Sequence, residues 1–301
     1  MNGPAHESDY RPTVTAGQTL GFLPGTGIEV IRRRDRSLRP EHILFDFDGT
    51  LSLIREGWPE VMVPMMVDVL RETGTQEPAD ALRRLVLDFV MELNGKQTIY
   101  QMIRLAEEVS RRGRRPLPPL QYKHRYHGLL MQRIEGRLEG LRSGRISCQE
   151  LLVPHALDLL GALRDRGARL YLASGTDERY VREEAALLGL DEYFGAEIHG
   201  AVDDFKTFSK AMVIARILAE NRVDGSRLVG FGDGYVEVMN IKASGGTAVA
   251  VASDEAGRSG KPDPWKRERL VGVGADMVIP DYRDASALVD YLYGCDGSLA
   301  P

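Results

Sequence analysis

At 301 residues, 43% hydrophobic and 28% charged, the chain has the composition of an ordinary globular protein, long enough for a core domain and a second unit. A net charge of −5, with basic residues scattered and only Arg32–Arg34 gathered into a short run, argues against nucleic acid as the partner. No apolar stretch approaches a membrane span, the polar N-terminus does not read as a secretory signal, and Cys148 and Cys295 form neither a metal-ligand spacing nor a disulfide framework, so a reducing, cytoplasmic setting is expected.

Residues 1–40 are rich in Gly, Pro and Arg and read as an N-terminal extension lying along the core, with a strand candidate at Ile28–Ile31. Ile43-Leu44-Phe45 then runs into Asp46-Phe47-Asp48-Gly49-Thr50, the pattern of a buried parallel strand that stops at a loop. From about Trp58 to Arg145 the period becomes helical. Val61, Met65, Met66, Val69 and Leu70 share one face; Leu82, Leu85, Val86 and Phe89 share another, and Ile99, Met102, Ile103 and Leu105 a third. The Arg111–Pro119 stretch reads as a loop between helices.

After Cys148 strands and helices alternate. The pattern predicts a helix over 151–166, a strand at Leu170–Ala173, a helix over Asp177–Leu188 and a short strand at Ile198. A helix over Ser209–Glu220, a strand at Leu228–Phe231 and a helix over Val236–Ala243 follow, then strands at Ala248–Ala252 and Met277–Ile279 and a last helix from Ala285 to Tyr293. Such alternation predicts an α/β fold, a Rossmann-like parallel sheet covered on both faces. The expected division is an extension at 1–40, a core at 41–54 and 150–301, and an inserted helical unit at 55–149 that overhangs the carboxyl ends of the strands.

Four polar signals fall at strand ends or helix openings: Asp46 with Asp48 and Gly49, Ser174-Gly175-Thr176, Lys210, and Gly232-Asp233-Gly234 with Glu237. Parallel strands bring all of these to one edge of the sheet. Asp46 and Asp48 point the same way if the chain stays extended. Together with Asp233 and Glu237 they make an acidic cluster that needs a cation, and oxygen ligands suit Mg²⁺. Lys210 offers a compact positive charge, and Ser174 with the backbone N–H groups of Gly175 and Thr176 offers an anion seat at a loop-to-helix junction. These parts suit phosphoryl transfer.

Asp46-Phe47-Asp48-Gly49-Thr50 resembles the first signature of the haloacid dehalogenase-like hydrolases, and the other three signals resemble the remaining signatures in order, over about residues 41–290. The resemblance implies that Asp46 is the nucleophile that takes the phosphoryl group and that Asp48 is the acid/base. It implies Mg²⁺ held by Asp46, the carbonyl of Asp48, and Asp233, with Glu237 standing where many members have aspartate. Phosphate binding then falls to Ser174, Gly175, Thr176, Lys210 and Gly49. Lys206 competes with Lys210 for the lysine role; the helix opening and the family spacing favour Lys210. Gly260-Lys261-Pro262-Asp263-Pro264 looks like a common form of the lysine signature but follows the fourth signature, and reads as a turn.

The inserted unit resembles the helical cap of one branch of the family, which implies a small phosphorylated metabolite, such as a sugar phosphate, as the substrate. Arg55 and Lys96 are the substrate-contact candidates, whereas the Lys123–His127 run reads as a solvated helix face. The expected activity is Mg²⁺-dependent phosphomonoester hydrolysis by a monomer or homodimer. A phosphomutase using the same aspartate pair and a non-catalytic phosphate-binding module are the alternatives.

Overall fold

The computed structural model describes residues 9–13, 19–35 and 37–294. Cys295 lies outside them, and Cys148 is a free thiol. Two short strands, β1 (Gly21–Phe22) and β2 (Glu29–Val30), precede the first core strand, β3 (His42–Phe45). Four helices follow: α1 (Pro59–Arg71), α2 (Ala79–Glu92), α3 (Thr98–Arg111) and α4 (Pro119–Arg142). The chain then alternates through α5 (Ala156–Asp165), β4 (Arg169–Asp177), α6 (Glu178–Leu187), α7 (Asp191–Phe194) and β5 (Ile198–Ala201). It continues with α8 (Lys210–Asn221), β6 (Leu228–Gly232), α9 (Tyr235–Ala243) and β7 (Thr247–Val251), and ends in α10 (Pro264–Gly272), β8 (Met277–Ile279) and α11 (Ala285–Tyr293).

One eight-stranded sheet has the order β1-β2-β8-β7-β6-β3-β4-β5. The strands from β8 to β5 are parallel, each pair joined through helices, so the fold is α/β with helices inserted after the first core strand. The core strands are parallel as expected, and the sheet extends beyond them. The N-terminal extension contributes β1 and β2, and both pairings there are antiparallel. Successive side chains of a strand point to opposite faces, and the two faces are filled separately. Ile43, Phe45, Leu172, Val229 and Phe231 pack with α5 and α11, the Phe45 and Phe231 rings stacked 4.6 Å apart. Leu44, Tyr171, Leu228, Ala248 and Ala250 pack against α8, α9 and α10 on the other side.

Two expectations are revised. The helix read from residue 151 begins only at Ala156, because Pro154 follows a short 3₁₀ turn, Cys148–Leu151, that Ser147 and Glu150 close as a capping box. The turn read at Gly260–Pro264 leads into α10, a helix with no counterpart in the sequence reading; Asp263 accepts from the Lys266 N–H as its N-cap and Pro264 opens it. Strand β3 lies between β4 and β6, so the chain order reverses there, and a crevice opens at its carboxyl end. No described helix is long and apolar enough to cross a membrane.

Candidate active site

Asp46 is the first residue after β3. Its N–H still donates to Phe231 O at 2.9 Å, so its backbone is fixed by the sheet while its side chain leaves the strand end. The chain then turns sharply: Leu51 and Ser52 N–H both donate to Phe47 O, and Gly49 takes φ +73°. A Cβ on Gly49 would stand 2.3 Å from Asp233 Oδ2, so only glycine lets the Asp233 carboxylate lie against this loop. The Asp233 N–H in turn donates to Thr50 Oγ1 at 3.0 Å, tying the β3 and β6 loops together.

Lys210 opens α8, whose N-cap is Ser209, and its Nζ donates to Asp46 Oδ1 at 2.7 Å. Glu237, in the first turn of α9, forms an ion pair with the same ammonium. Gly232 and Gly234 make room for it, since a Cβ on either would press into the Glu237 side chain. Lys206, by contrast, is exposed on a 3₁₀ turn and does not line the cavity.

Asp48 Oδ2 accepts from Thr176 Oγ1 at 2.8 Å, and Oδ1 lies 3.7 Å from Arg55 Nε. Ser174-Gly175-Thr176 is not the loop-to-helix junction that the sequence suggested. Strand β4 runs on to Asp177, with a register irregularity between Ala173 and Asp177 that bends this stretch toward the site. Thr176 N–H donates to Ser174 Oγ at 3.0 Å, which leaves the Ser174 O–H as the donor for an anion.

The cap loop closes over these groups. A Cβ on Gly95 would lie 3.1 Å from Gly234 Cα, and one on Gly175 would lie 3.4 Å from Gln97 Cα, so the loop sits backbone to backbone on the loop after β6 and on the end of β4. Gln97 Nε2 donates to Phe208 O at 2.9 Å. The result is a cavity of about 110 Å³ with Asp46, Asp48, Ser174, Lys210 and Asp233 on the core side and Trp58, Tyr126 and Leu130 among the cap residues.

Arg55 and Lys96 both line this cavity, but protein carboxylates already meet their charges. Glu184 grips Arg55 through Nε (3.1 Å) and Nη2 (2.6 Å), and Asp9 of the N-terminal segment holds Lys96 Nζ at 2.7 Å. The Lys123–His127 run is only partly solvated. Lys123 is buried in an ion pair with Asp177 and the His127 ring lies on Tyr180, while His124 and Arg125 are exposed. These contacts lock α4 of the cap onto α6 of the core.

Burial pushes the Asp46 carboxyl up to about 6; Lys210 opposes the rise and the charge of Asp233 adds to it. Asp48 is likewise pushed up to about 6 by burial, against the pull of Arg55. Among the described residues no three acidic, histidine or cysteine side chains are already gathered as a metal cage. The donor set nevertheless fits a divalent cation: Asp46 and Asp233 repel each other in a buried site, and Glu237 Oε2 is buried without a hydrogen-bond partner.

Residues that the sequence reading missed are Thr176 Oγ1 as a partner of Asp48, Glu184 behind Arg55, and a second lysine, Lys266, whose ammonium lies 2.9 Å from Asp233 Oδ2 and 2.6 Å from Glu255 Oε1. The Asp263-Pro264 helix opening was the one available signal for Lys266.

A family model described as haloacid dehalogenase-like hydrolase matches residues 40–245. No curated protein matches the chain. Among solved structures, a haloacid dehalogenase-like protein of unknown function from Agrobacterium tumefaciens is 19% identical, with 83% of this chain and 97% of that chain covered and a TM-score of 0.53. A predicted phosphoglycolate phosphatase from Haemophilus somnus is 16% identical, with 83% and 97% covered and a TM-score of 0.53. A family hydrolase from Deinococcus radiodurans, solved with bound phosphate and sodium, is 18% identical, with 87% and 100% covered and a TM-score of 0.50. At these identities the structures show a shared fold, and the family model, covering more than half of the sequence, shows that the chain belongs to the haloacid dehalogenase-like hydrolases.

Proposed function

We propose that the protein is a Mg²⁺-dependent phosphomonoester hydrolase that acts on a small phosphorylated metabolite, with a sugar phosphate-like ester as the working substrate class. The reading rests above all on one observation: a buried aspartate at the end of the central strand, salt-bridged to a lysine at 2.7 Å, on the floor of a small cavity roofed by the cap. The phosphate held by the Deinococcus radiodurans relative is in keeping with it.

In this reading Asp46 attacks phosphorus, forming an aspartyl phosphate as the ester P–O bond breaks. Asp48, poised near pH 6, protonates the leaving oxygen. The same carboxylate then takes a proton from water, whose oxygen attacks phosphorus and displaces the Asp46 carboxylate, so that inorganic phosphate leaves and Asp46 is restored. Lys210 holds Asp46 in place and offsets charge on the transferring group, with Ser174 donating to a phosphoryl oxygen. Asp46, the carbonyl of Asp48 and Asp233 would hold Mg²⁺, with Glu237 Oε2 as a further oxygen beside them; the ion when bound would withdraw charge from the phosphoryl group. The helical unit at 55–149 serves as the cap, and its tight closure favours small substrates over folded phosphoproteins.

A phosphate-release screen over sugar phosphates, nucleotides and phosphoglycolate, with and without Mg²⁺, tests the proposal. Mg²⁺-dependent release is expected. Isomer formation from a hexose 1-phosphate without net release would instead identify a phosphomutase, and inertness toward the whole panel would favour a binding module. Within the active panel, Lys210→Ala should lower turnover by about 100-fold or more, while Lys206→Ala stays within about twofold of wild type. The reverse order would move the lysine role to Lys206.

A further inference from the structure

Lys266 lies in the first turn of α10, and its side chain is 10% exposed. The ammonium meets three acceptors: Asp233 Oδ2 at 2.9 Å, Glu255 Oε1 at 2.6 Å and Ser253 Oγ at 3.1 Å. An ammonium has three donors, so all are engaged. Ser253 Oγ donates onward to Gly49 O at 2.7 Å, which ties the lysine to the loop carrying Asp46 and Asp48. A Cβ on Gly49 would stand 2.3 Å from Asp233 Oδ2 and 3.0 Å from Glu255 Oε1. Both oxygens that Lys266 holds therefore face this loop, and Glu255 lines the cavity.

We propose that Lys266 is a positioning residue that keeps the site selective for Mg²⁺ by withholding carboxylate oxygens of Asp233 and Glu255 from the cation. The inference rests on the Mg²⁺-dependent reading above. Its chemistry follows from how the two common divalent ions differ. Mg²⁺ keeps several waters and takes few protein oxygens, whereas Ca²⁺ accepts about six to eight oxygens in loose geometry. With Oδ2 on the ammonium, Asp233 presents a cation with one oxygen rather than two. Glu255, neutralised by the same ammonium, is kept from joining as a further acidic ligand. Without Lys266 the site becomes richer in oxygen and in negative charge, which favours Ca²⁺. A purely structural ion pair would not alter that choice; removing it would only loosen the fold.

Calorimetric titration of the full chain with Mg²⁺ and with Ca²⁺, comparing wild type with Lys266→Met, reads the effect without any turnover. The expected result is a shift of the Mg²⁺-over-Ca²⁺ affinity ratio toward Ca²⁺ by about tenfold or more in the variant. An unchanged ratio in a variant that still melts cooperatively overturns the proposal. If Lys266→Met does not fold, Lys266→Met/Glu255→Gln carries the test, since it leaves Glu255 no buried charge. The oxygen of Asp233 released in that double variant should still shift the ratio by about threefold, and no shift again overturns the role. Wild type that binds neither ion would instead sink the Mg²⁺ reading, and the role of Lys266 with it.

Discussion

Asp46→Asn is expected to abolish phosphate release, by about a thousand-fold or more, and at the same time to make the metal-free protein harder to melt at pH 7.5. The loss follows from the proposed role, because an amide cannot form the aspartyl phosphate. The gain follows from electrostatics. Asp46 is 7% exposed, and burial pushes its carboxyl up to about 6, with Lys210 opposing and Asp233 adding to the rise. A carboxyl whose pKa is higher in the folded state than in the unfolded chain contributes stability that is fully present below the unfolded value, near 4, and lost as pH rises through about 6. At pH 7.5 the native state therefore carries an ionised aspartate at a cost on the order of 3 kcal/mol, and asparagine removes it. For a chain of this size that corresponds to a melting increase of several degrees, roughly 5 °C. Melting curves in EDTA at pH 5 and pH 7.5 check the sign: the difference between variant and wild type should shrink at pH 5. Mg²⁺ should then stabilise wild type more than the variant. Equal gains at both pH values would contradict the electrostatic account.

The opposite demands that Asp46 places on stability and chemistry show why this part of the molecule was readable from sequence. A strand that ends in two carboxylates, three strands that end at one edge, and a helix that opens on lysine are local patterns, each with a physical reason to sit where it does. The strand-end rule brought Asp46, Asp48, Ser174, Lys210 and Asp233 into one cavity. What escaped the reading has no local pattern. The edge strand β1 is two residues long, too short for an alternation to register, whereas β2 falls inside the Ile28–Ile31 strand candidate. The bent end of β4 at Ser174–Thr176 carries small polar residues that look like a loop in any window. Helix α10 showed its N-cap and its proline, but only a few apolar residues followed to mark a face. Above all, pairings such as Lys266 with Asp233, Lys96 with Asp9 and Lys123 with Asp177 join charges from distant parts of the chain. Nothing in the spacing of a lysine reveals which carboxylate it will meet, so the ion pairs made by Lys96 in the cavity wall and by Lys123 on α4 are not legible in the sequence.

Arg55 is where that lesson has the largest energetic consequence. Arg55→Ala should destabilise the protein by about 3–5 kcal/mol, because it leaves Glu184, whose side chain is 2% exposed, as a buried charge with no counter-ion. Denaturant melts at pH 7.5 measure this directly. Replacing both partners, Arg55→Met/Glu184→Met, should recover most of the loss, since an apolar pair carries no desolvation penalty. Activity should follow a different rule. Arg55 Nε lies 3.7 Å from Asp48 Oδ1, and its charge opposes the burial that pushes the Asp48 carboxyl up to about 6, whereas Glu184 reinforces it. Removing Arg55 alone lets Asp48 hold its proton to higher pH. The step that needs ionised Asp48, activation of water, then fails over a wider acidic range, and the rising limb of turnover against pH moves upward. In the double variant the counter-charge of Glu184 is gone as well, so the limb should return part of the way. If the double variant is no more stable than Arg55→Ala, the buried-pair account is wrong; if the limb stays in place in Arg55→Ala, Asp48 does not feel Arg55 and the acid/base assignment loses its electrostatic support.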